Sequence, residues 1–365
     1  MARLKPCRCY KPFPVEFFSN ISSRVVEPKL FLPSFSAVSE VAIRGRMAAR
    51  VRTEDFAAKP FAAKPRAEID SLTDVENKQE TRLRIAAIDF LNPAPLMWNF
   101  EHPPWREELE RRYRIDRMLP SECAARLQSG EADIGLIPIA ALALAPQLRI
   151  LPGCTIASKE RVRSLLLVHR AGRPLDSLRS VAADTASRTT VTYARLLFHK
   201  WGRADVEFVP MAANLDAMLQ RADAAIVIGD PALLALEERF NRLERTGEAL
   251  EYRDLAAEWK TLTGLPFISA VWCAGAGCGD PLNERVVEDL IQSRDHGLSN
   301  IDALVNEWSM RLPLPESTIR SYLTGNIHYV LDEECVEGMR GFFRMAAECG
   351  VLPPYRVAIE DVARG

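Results

Sequence analysis

The sequence predicts an α/β fold in which short buried strands alternate with helices. An amphipathic helix after residue 120, a glycine at Gly130 and an apolar strand over 133–137 follow one another directly, as in parallel α/β units. Three further apolar strands end after Ile88, Ala183 and Ile228, each at a polar loop. Because ligands of open α/β sheets bind beyond the carboxyl ends of the strands, we expect these loops to form a ligand site.

Length and charge restrict the class of protein. A chain of 365 residues is long enough to bury a sizeable core, in two domains or in one domain with a tail. Its 47 basic and 49 acidic residues give a formal charge of -2, which offers no general attraction to nucleic acid or to anionic lipid. No apolar run approaches the ~18 residues of a membrane span. We therefore expect a small-molecule ligand, with no nucleic-acid or membrane partner.

The eight cysteines are scattered and form no C-x-x-C pair. A zinc site would need two close pairs, or histidines at regular spacing, and neither is present in the sequence. This pattern predicts reduced thiols in a reducing, cytoplasmic compartment, without a metal or another cofactor.

Residues 1–80 differ in composition from the rest of the chain. They are rich in proline, carry scattered basic residues and contain Phe-Ala-Ala-Lys-Pro twice in tandem, at 56–60 and 61–65. Such a segment buries too little apolar area to offset the entropy of ordering, so we expect a disordered extension without a catalytic role. Pro6, Pro12 and Pro14 interrupt any secretory signal. A true start near Met47 or later remains open.

The stretch from Arg84 to Leu96 is the first candidate site. An apolar strand ends at Ile88 and is followed by Asp-Phe-Leu-Asn-Pro, which breaks the strand and places Asn92 in a loop. The Asn92 amide can both donate and accept hydrogen bonds in the crevice. Alternatively, Asn92 and its proline form only a turn.

A second candidate site lies where a helix begins after the strand at 181–184. Ser187 is the expected N-cap, and the helix start presents unpaired N–H groups and the positive end of the helix dipole. Ser187, Arg188, Thr189 and Thr190 add hydroxyls and a fixed cation, which predicts a receptor for a carboxylate or phosphate. Alternatively, Ser187 only caps its helix and Arg188 points to solvent.

Two further polar residues stand at strand ends. Asp230 precedes a proline, a strong helix-start signal in which the aspartate is the N-cap, but it lies equally well placed to reach the crevice. Ser158 ends a strand and either faces the crevice or belongs to a surface turn.

Five motifs occur in a fixed order. They are the stretch at 84–96, Gly-Glu-Ala-Asp-Ile-Gly-Leu-Ile-Pro at 130–138, Asp-Thr-Ala-Ser-Arg-Thr-Thr at 184–190, Ile-Gly-Asp at 228–230 and Glu-Trp-Lys-Thr-Leu-Thr-Gly-Leu-Pro-Phe at 258–267. Together they resemble the chorismate dehydratases of the futalosine route to menaquinone, within the wider menaquinone-biosynthesis family. The resemblance covers about 83–358, all of the chain except the extension.

The resemblance implies a fold of two α/β domains, the type II periplasmic-binding-protein-like fold, with the ligand cleft between the domains. We expect residues 83–172 and 273–365 in the first domain and 173–272 in the second, with the chain crossing between them near 169–174. It also implies that Ile137 and Pro138 face the ligand.

The activity implied by the resemblance is that of a carbon–oxygen lyase (hydro-lyase), which eliminates water from chorismate to give 3-(1-carboxyvinyloxy)benzoate. Asn92 would then be the catalytic residue that orients the reacting part. The substrate-binding residues would be Ile137, Pro138, Ser158, Ser187, Arg188, Thr189, Thr190 and Asp230. No base is obvious in these motifs, so a carboxylate of the substrate is a candidate. Two alternatives remain: the 1,4-dihydroxy-6-naphthoate synthase of the same pathway, and a non-catalytic binding protein for an organic anion. We expect the chain to be a monomer or a homodimer.

Overall fold

The structure is a computed structural model that describes residues 82–275 and 284–359. The disorder predicted for residues 1–80 therefore lies outside the described residues. Within the described parts of the chain, every helix is too short or too polar to cross a bilayer.

Strands and helices alternate through the first two thirds of the described chain, and helices dominate the last third. The strands are β1 (Leu83–Ile88), β2 (Tyr113–Met118), β3 (Ile134–Pro138), β4 (Arg149–Ser158), β5 (Leu165–Arg170), β6 (Ser180–Asp184), β7 (Glu207–Met211), β8 (Ala224–Ile228), β9 (Leu250–Asp254), β10 (Phe267–Ala274) and β11 (His328–Val330).

The helices cover both sheets. They are α1 (Trp98–Glu101), α2 (Arg106–Arg112), α3 (Pro120–Ser129), α4 (Arg188–Lys200), α5 (Leu215–Arg221), α6 (Gly229–Glu237), α7 (Arg239–Thr246), α8 (Leu255–Thr263), α9 (Glu284–Ser299), α10 (Ile301–Arg311), α11 (Glu316–Ser321) and α12 (Glu333–Glu348). Short 3-10 helices occur at Ala94–Met97, Ile139–Leu144 and Leu175–Ser177, and a π-helical segment at Tyr322–Asn326.

Two mixed sheets form the framework. The first has six strands in the order β11-β4-β10-β3-β1-β2, and the second has five in the order β7-β6-β8-β5-β9. β1 is parallel to β2 and β3, whereas β10 runs antiparallel to β3 and β4. The chain leaves the first sheet after β4 and returns to it with β10. The predicted α/β fold with two separate sheets is confirmed.

The chain changes sheets earlier than the predicted boundaries at 172 and 272. β5 lies in the second sheet, where it pairs with both β8 and β9. The first crossing, expected at 169–174, is therefore made by residues 159–164, between β4 and β5. The chain returns before 272, because β10 starts at Phe267 and lies in the first sheet. The reason is that hydrogen-bond partners decide sheet membership, and apolar runs alone do not reveal these partners.

Local signals end several helices where the sequence predicted. Gly130 has a φ of 76° and accommodates the left-handed C-cap of α3. The Ser187 hydroxyl accepts a hydrogen bond from Thr190 N at 3.2 Å and caps α4. These two predictions are confirmed.

One hydrophobic core joins the two sheets. Tyr193 of α4, which follows β6 of the second sheet, stacks on Phe267 of β10 with ring centroids 3.8 Å apart. Its ring also meets Trp259 edge-on and packs against Phe342. The Tyr193 hydroxyl accepts a hydrogen bond from Ile268 N at 3.2 Å. This aromatic cluster thus holds α4 against the first sheet, and the hydroxyl of Tyr193 has a hydrogen-bond partner there.

A close contact between Gly229 and Phe90 generates the first testable prediction. Gly229 has a φ of +63°, and a Cβ there would lie 2.7 Å from two ring carbons of Phe90. Gly229→Ala adds backbone strain to overpacking, so we expect the free energy of unfolding to fall by about 2–5 kcal/mol. Urea unfolding curves measure this change.

Gly247 supplies the matched control, because its φ is +68° and nothing lies within 4 Å of the site of a Cβ. Gly247→Ala should therefore show the backbone cost alone, about 1–2 kcal/mol. Equal losses for the two variants would contradict the contact with Phe90.

Candidate active site

A narrow cavity lies between the two sheets. Residues of the first sheet and its loops line one side of it, namely Ile88, Phe90, Asn92, Pro120, Pro138, Ile156, Ser269 and Ala270. Residues of the second sheet and its helices line the other side, namely Leu165, Ser187, Thr189, Thr190, Ile228 and Gly229. The carboxyl ends of β1, β3 and β8 and the start of α4 thus meet here. Ile88 and Ile228, two of the three predicted strand ends, line the cavity, whereas Ala183 lies outside its lining.

The volume of this cavity is about 40 Å³, which is room for only a few water molecules. Sites for small organic ligands usually enclose at least several hundred Å³, on the order of 300–1,000 Å³. The walls of the cavity must therefore move apart before a ligand of that size can bind.

Asn92 projects from the loop after β1 into this cavity. Its Oδ1 is buried and has no hydrogen-bond partner within residues 82–275 and 284–359. A buried acceptor without a partner costs about 1–3 kcal/mol, so the position favours a ligand that donates a hydrogen bond.

The start of α4 forms the opposite side. The Asp184 Oδ1 accepts from Ala186 N at 2.9 Å and shapes the loop that leads to the Ser187 cap. The Thr189 hydroxyl accepts from Ala140 N at 3.1 Å, which ties α4 to the first sheet. Both Ser187 and Thr189 keep a hydroxyl hydrogen for donation, and the first N–H groups of a helix lack partners within the helix.

Arg188 is half-buried and lies outside the cavity lining. Its guanidinium makes no hydrogen bond or ion pair with any of the residues that the structure describes, and burial lowers its pKa. A partly desolvated cation without a counter-charge is favoured by a nearby anion. A role for Arg188 in ligand binding stays a prediction, because its side chain does not line the cavity.

Asp230 has a different role from the predicted N-cap. α6 begins one residue earlier, at Gly229, with Ile228 in the cap position. The Asp230 Oδ1 accepts from Leu91 N at 2.9 Å and so links the second sheet to the loop that carries Asn92. Burial raises the pKa of Asp230 to about 6, against the lowering effect of the Leu91 hydrogen bond. Asp230 does not line the cavity.

The remaining predicted residues divide between cavity and core. Pro138 lines the cavity, whereas its neighbour Ile137 is buried in the core, because successive side chains of a strand point to opposite faces. Ser158 is 2% exposed and lies outside the lining, and its Oγ has no partner among the described residues. A ligand role for Ile137 and Ser158 stays a prediction.

Two residues next to the site, Tyr322 and Ser164, carry no local sequence signal that would predict their position. The Tyr322 hydroxyl donates to Ser164 Oγ at 2.7 Å, and the Ser164 carbonyl accepts from Gly229 N at 2.8 Å. These residues are 158 positions apart, so no local pattern indicates the contact.

A surface recess and one cluster of possible metal ligands lie away from the cavity. The recess has a volume of about 440 Å³, lies beside α2 and β2 and shares no residue with the cavity. Its charged side chains pair with one another, as Arg106 does with Glu110. Among the described residues, His328, Asp332 and Cys335 lie close enough together to hold a metal ion. The Lys159 ammonium already lies 2.8 Å from Asp332 Oδ2, and this cation neutralises the carboxylate.

The fold and the cleft define a protein with the periplasmic-binding-protein-like architecture. A protein of Archaeoglobus fulgidus has a similar structure, with a TM-score of 0.59 at 16% identity over 76% of this chain and 100% of that one. The periplasmic aliphatic sulphonate binding protein of Escherichia coli gives a TM-score of 0.52 at 14% identity, over 77% and 94%. These similarities concern the fold, and they confirm the predicted binding-protein-like architecture.

The chain belongs to the menaquinone biosynthesis family, whose model matches residues 83–348. The chorismate dehydratase of Thermus thermophilus is 29% identical over 238 residues, which make up 63% of this chain and 85% of that protein. The family resemblance of the sequence motifs is thereby confirmed.

Asp230 generates the second prediction. Its carboxyl has an ordinary pKa of 3.8 and a pKa of about 6 in the folded protein. Between these values the folded state binds more protons than the unfolded state, so this group makes the protein less stable as the pH rises. Asp230→Asn keeps an acceptor for Leu91 without burying charge. We expect this variant to be more stable than the wild type at pH 8, by about 1–3 kcal/mol, with the difference vanishing towards pH 4.

Urea unfolding at several pH values measures the difference. Asp205→Asn is a control of opposite sign, because a hydrogen bond from Arg203 lowers the pKa of Asp205 and its charge is stabilising. A difference between wild type and Asp230→Asn that does not change with pH would disprove the assignment.

Proposed function

We propose that the protein is a chorismate dehydratase of the futalosine pathway to menaquinone, a carbon–oxygen lyase that converts chorismate into 3-(1-carboxyvinyloxy)benzoate and water. The similarity to the Thermus thermophilus enzyme within the menaquinone biosynthesis family carries this proposal. A cleft that combines a helix start with an unpartnered amide oxygen supports it.

The reaction needs little chemical assistance but strict orientation. A C–H bond and the neighbouring C–O bond of the ring break, a C=C bond forms, and the proton and the hydroxyl leave together as water. The ring becomes aromatic, which favours the product strongly. The enzyme therefore has to hold a dianion in a geometry suited to elimination and keep out competing rearrangements. A narrow cleft with room for only a few waters suits this task.

The start of α4 receives a carboxylate of the substrate. It offers the positive end of the helix dipole, the hydroxyls of Ser187, Thr189 and Thr190, and the nearby guanidinium of Arg188. These groups bind charge that is present before and during the reaction, so they contribute mainly to binding.

The proton acceptor is a carboxylate of the substrate itself. None of the residues that line the cavity has a side chain able to take a proton at neutral pH, since they are apolar, hydroxyl-bearing or amide-bearing. A substrate carboxylate already present in the cleft needs no such group from the protein. Asn92, on the opposite side from α4, then orients the reacting part without adding a charge.

We also place the enzyme in the cytoplasm. The described cysteines, Cys123, Cys154, Cys273, Cys335 and Cys349, are all free and buried. Free thiols in this number suit a reducing compartment, where disulfides rarely persist.

Purified protein mixed with chorismate tests the proposal. Loss of the diene absorbance, with release of the aromatic product identified by mass, is the expected result. Turnover of a cyclic futalosine derivative in place of chorismate would show a naphthoate synthase. Tight binding of an organic anion without turnover of either compound would show a binding protein, and each result would overturn the dehydratase assignment.

Arg188→Ala is expected to raise KM for chorismate with little change in kcat. The lost charge-assisted interaction corresponds to about 1.5–3 kcal/mol, and it acts on ground state and transition state alike. Initial rates over a range of chorismate concentrations measure this. Lys200→Ala removes an equal charge from the exposed opposite end of α4 and should leave KM unchanged. If Arg188→Ala also leaves KM unchanged, Arg188 does not contribute to the binding of a substrate carboxylate at the helix start.

Asn92→Ala is expected to lower kcat much more than it changes KM. The orientation of the breaking bonds matters more in the transition state than in binding, so truncation removes differential stabilisation. Asn92→Asp tests the same residue differently, because a carboxylate facing a bound dianion should weaken binding as well as rate. Full kcat in Asn92→Ala would show that this loop is only a turn.

A further inference from the structure

Ser269 interrupts the regular pairing of β10 with its neighbouring strands. On the β4 side, Ile268 pairs with Ala157. The next pair joins Ala270 to Ile156, so Ser269 is an extra residue with no partner on β4. On the β3 side, pairing begins only at Ala270. This irregularity is a β-bulge, which bends a strand and re-aims a side chain, and bulges are frequent next to active sites.

The bulge places Ser269 at the cavity. Successive side chains of a regular strand point to opposite faces, so two neighbours are not expected to line the same space. Ser269 and Ala270 nevertheless both line the cavity. Ser269 is half-buried, whereas its neighbours Ile268 and Ala270 are buried. The extra residue thus adds a small, accessible polar side chain to the first-sheet side of the cavity.

The hydroxyl of Ser269 is available to a ligand. It makes no hydrogen bond with any residue in the described parts of the chain. The other polar side chain on this side of the cavity is that of Asn92, whose buried atom without a partner is an acceptor, Oδ1. A hydroxyl can donate a hydrogen bond, and a carboxylate can only accept one. Ser269 therefore offers an anion a donor on the side of the cavity opposite α4.

We propose that Ser269 is a substrate-binding residue, whose hydroxyl donates a hydrogen bond to a carboxylate of the ligand across the cavity from the start of α4. The cavity is narrow, so one ligand can contact both sides at once. Ser187, Thr189 and Thr190 take one carboxylate, and Ser269 takes a second, so the ligand is a dicarboxylate. That this dicarboxylate is chorismate rests on the proposed dehydratase function, whereas the place of Ser269 in the cavity does not.

A second point of attachment fixes the orientation of the ligand. A substrate held only at the start of α4 can turn about its bound carboxylate, and a hydrogen bond from the opposite side removes this freedom. The hydrogen bond acts on a charge that the substrate carries from the outset, so it contributes mainly to binding. No group is transferred to Ser269, which keeps its proton throughout.

Ser269→Ala tests the proposal in kinetics. The substitution removes the donor and preserves the short side chain that the bulge accommodates. Hydrogen bonds to charged groups are among the stronger ones, so we expect KM for chorismate to rise about 10- to 100-fold while kcat changes less than about threefold.

Ser309→Ala is the matched control for this measurement. Ser309 is also a half-buried serine, but it lies on α10 and outside the cavity lining. Its variant should keep the wild-type KM. Conversion of chorismate with a wild-type KM in Ser269→Ala would overturn the role of Ser269 and leave the dehydratase function standing.

Chemical labelling provides a second test, which does not depend on turnover. Ser269→Cys puts a thiol at the bulge, and Ser309→Cys puts one on α10. Each variant reacts with an anionic reagent, 2-carboxyethyl methanethiosulfonate, and with a cationic one, 2-aminoethyl methanethiosulfonate, and peptide masses identify the modified position. The ratio of the two rates does not depend on the intrinsic reactivity of the thiol. We expect the ratio of anionic to cationic labelling to be at least about threefold higher in Ser269→Cys than in Ser309→Cys.

The labelling result separates this proposal from the proposed function. Equal ratios in the two variants, or no labelling of Ser269→Cys by either reagent, would refute an anion site at the bulge. A wild-type protein that fails to convert chorismate, together with preferential anionic labelling of Ser269→Cys, would refute the dehydratase function and leave the anion site established.

Discussion

The packing of α4 against the first sheet is the constraint on which the site depends. The helix follows a strand of the second sheet, yet Tyr193 stacks on Phe267 and accepts a hydrogen bond from Ile268 N, and Thr189 accepts from Ala140 N. The start of α4 is therefore fixed relative to the loop of Asn92, which faces it across the cavity. Any motion that opens the cleft must either carry α4 with the first sheet or break this aromatic cluster.

Three polar groups near the junction of the sheets are incompletely paired. Asn92 Oδ1 is buried without a hydrogen bond, Arg188 has no counter-ion among the described residues, and Asp230 has only the Leu91 N–H against its buried carboxylate. Each such group costs free energy unless a partner compensates it. Of the three, only Asn92 lines the cavity, so it is the group whose missing partner points most directly to a ligand.

Local patterns predicted the elements but not their partners. Apolar runs gave the strand ends, Ser187 gave the cap of α4, and Gly130 gave the end of α3, because each depends on residues within one turn or strand. The link from Asp230 to Leu91 spans 139 positions and that from Tyr322 to Ser164 spans 158, so neither has a local signature. The same limit explains why β5 lies in the other sheet from the one expected. The placement of Ile137 in the core is a different case, since strict alternation along β3 already separates it from Pro138.

The neutrality of the cavity and the charge around it belong to one electrostatic arrangement. A dianionic substrate that supplies its own base would be repelled by a carboxylate in the lining, and the polar side chains that line this cavity are an amide and hydroxyls. Burial at the junction of the sheets raises the pKa of Asp230 to about 6. The low local dielectric that produces this shift also strengthens the attraction between the start of α4 and a bound carboxylate, because Coulombic interactions grow as water is excluded. For the substrate proposed above, a narrow cleft would thus both exclude water from the reaction and strengthen the binding of the substrate's charge.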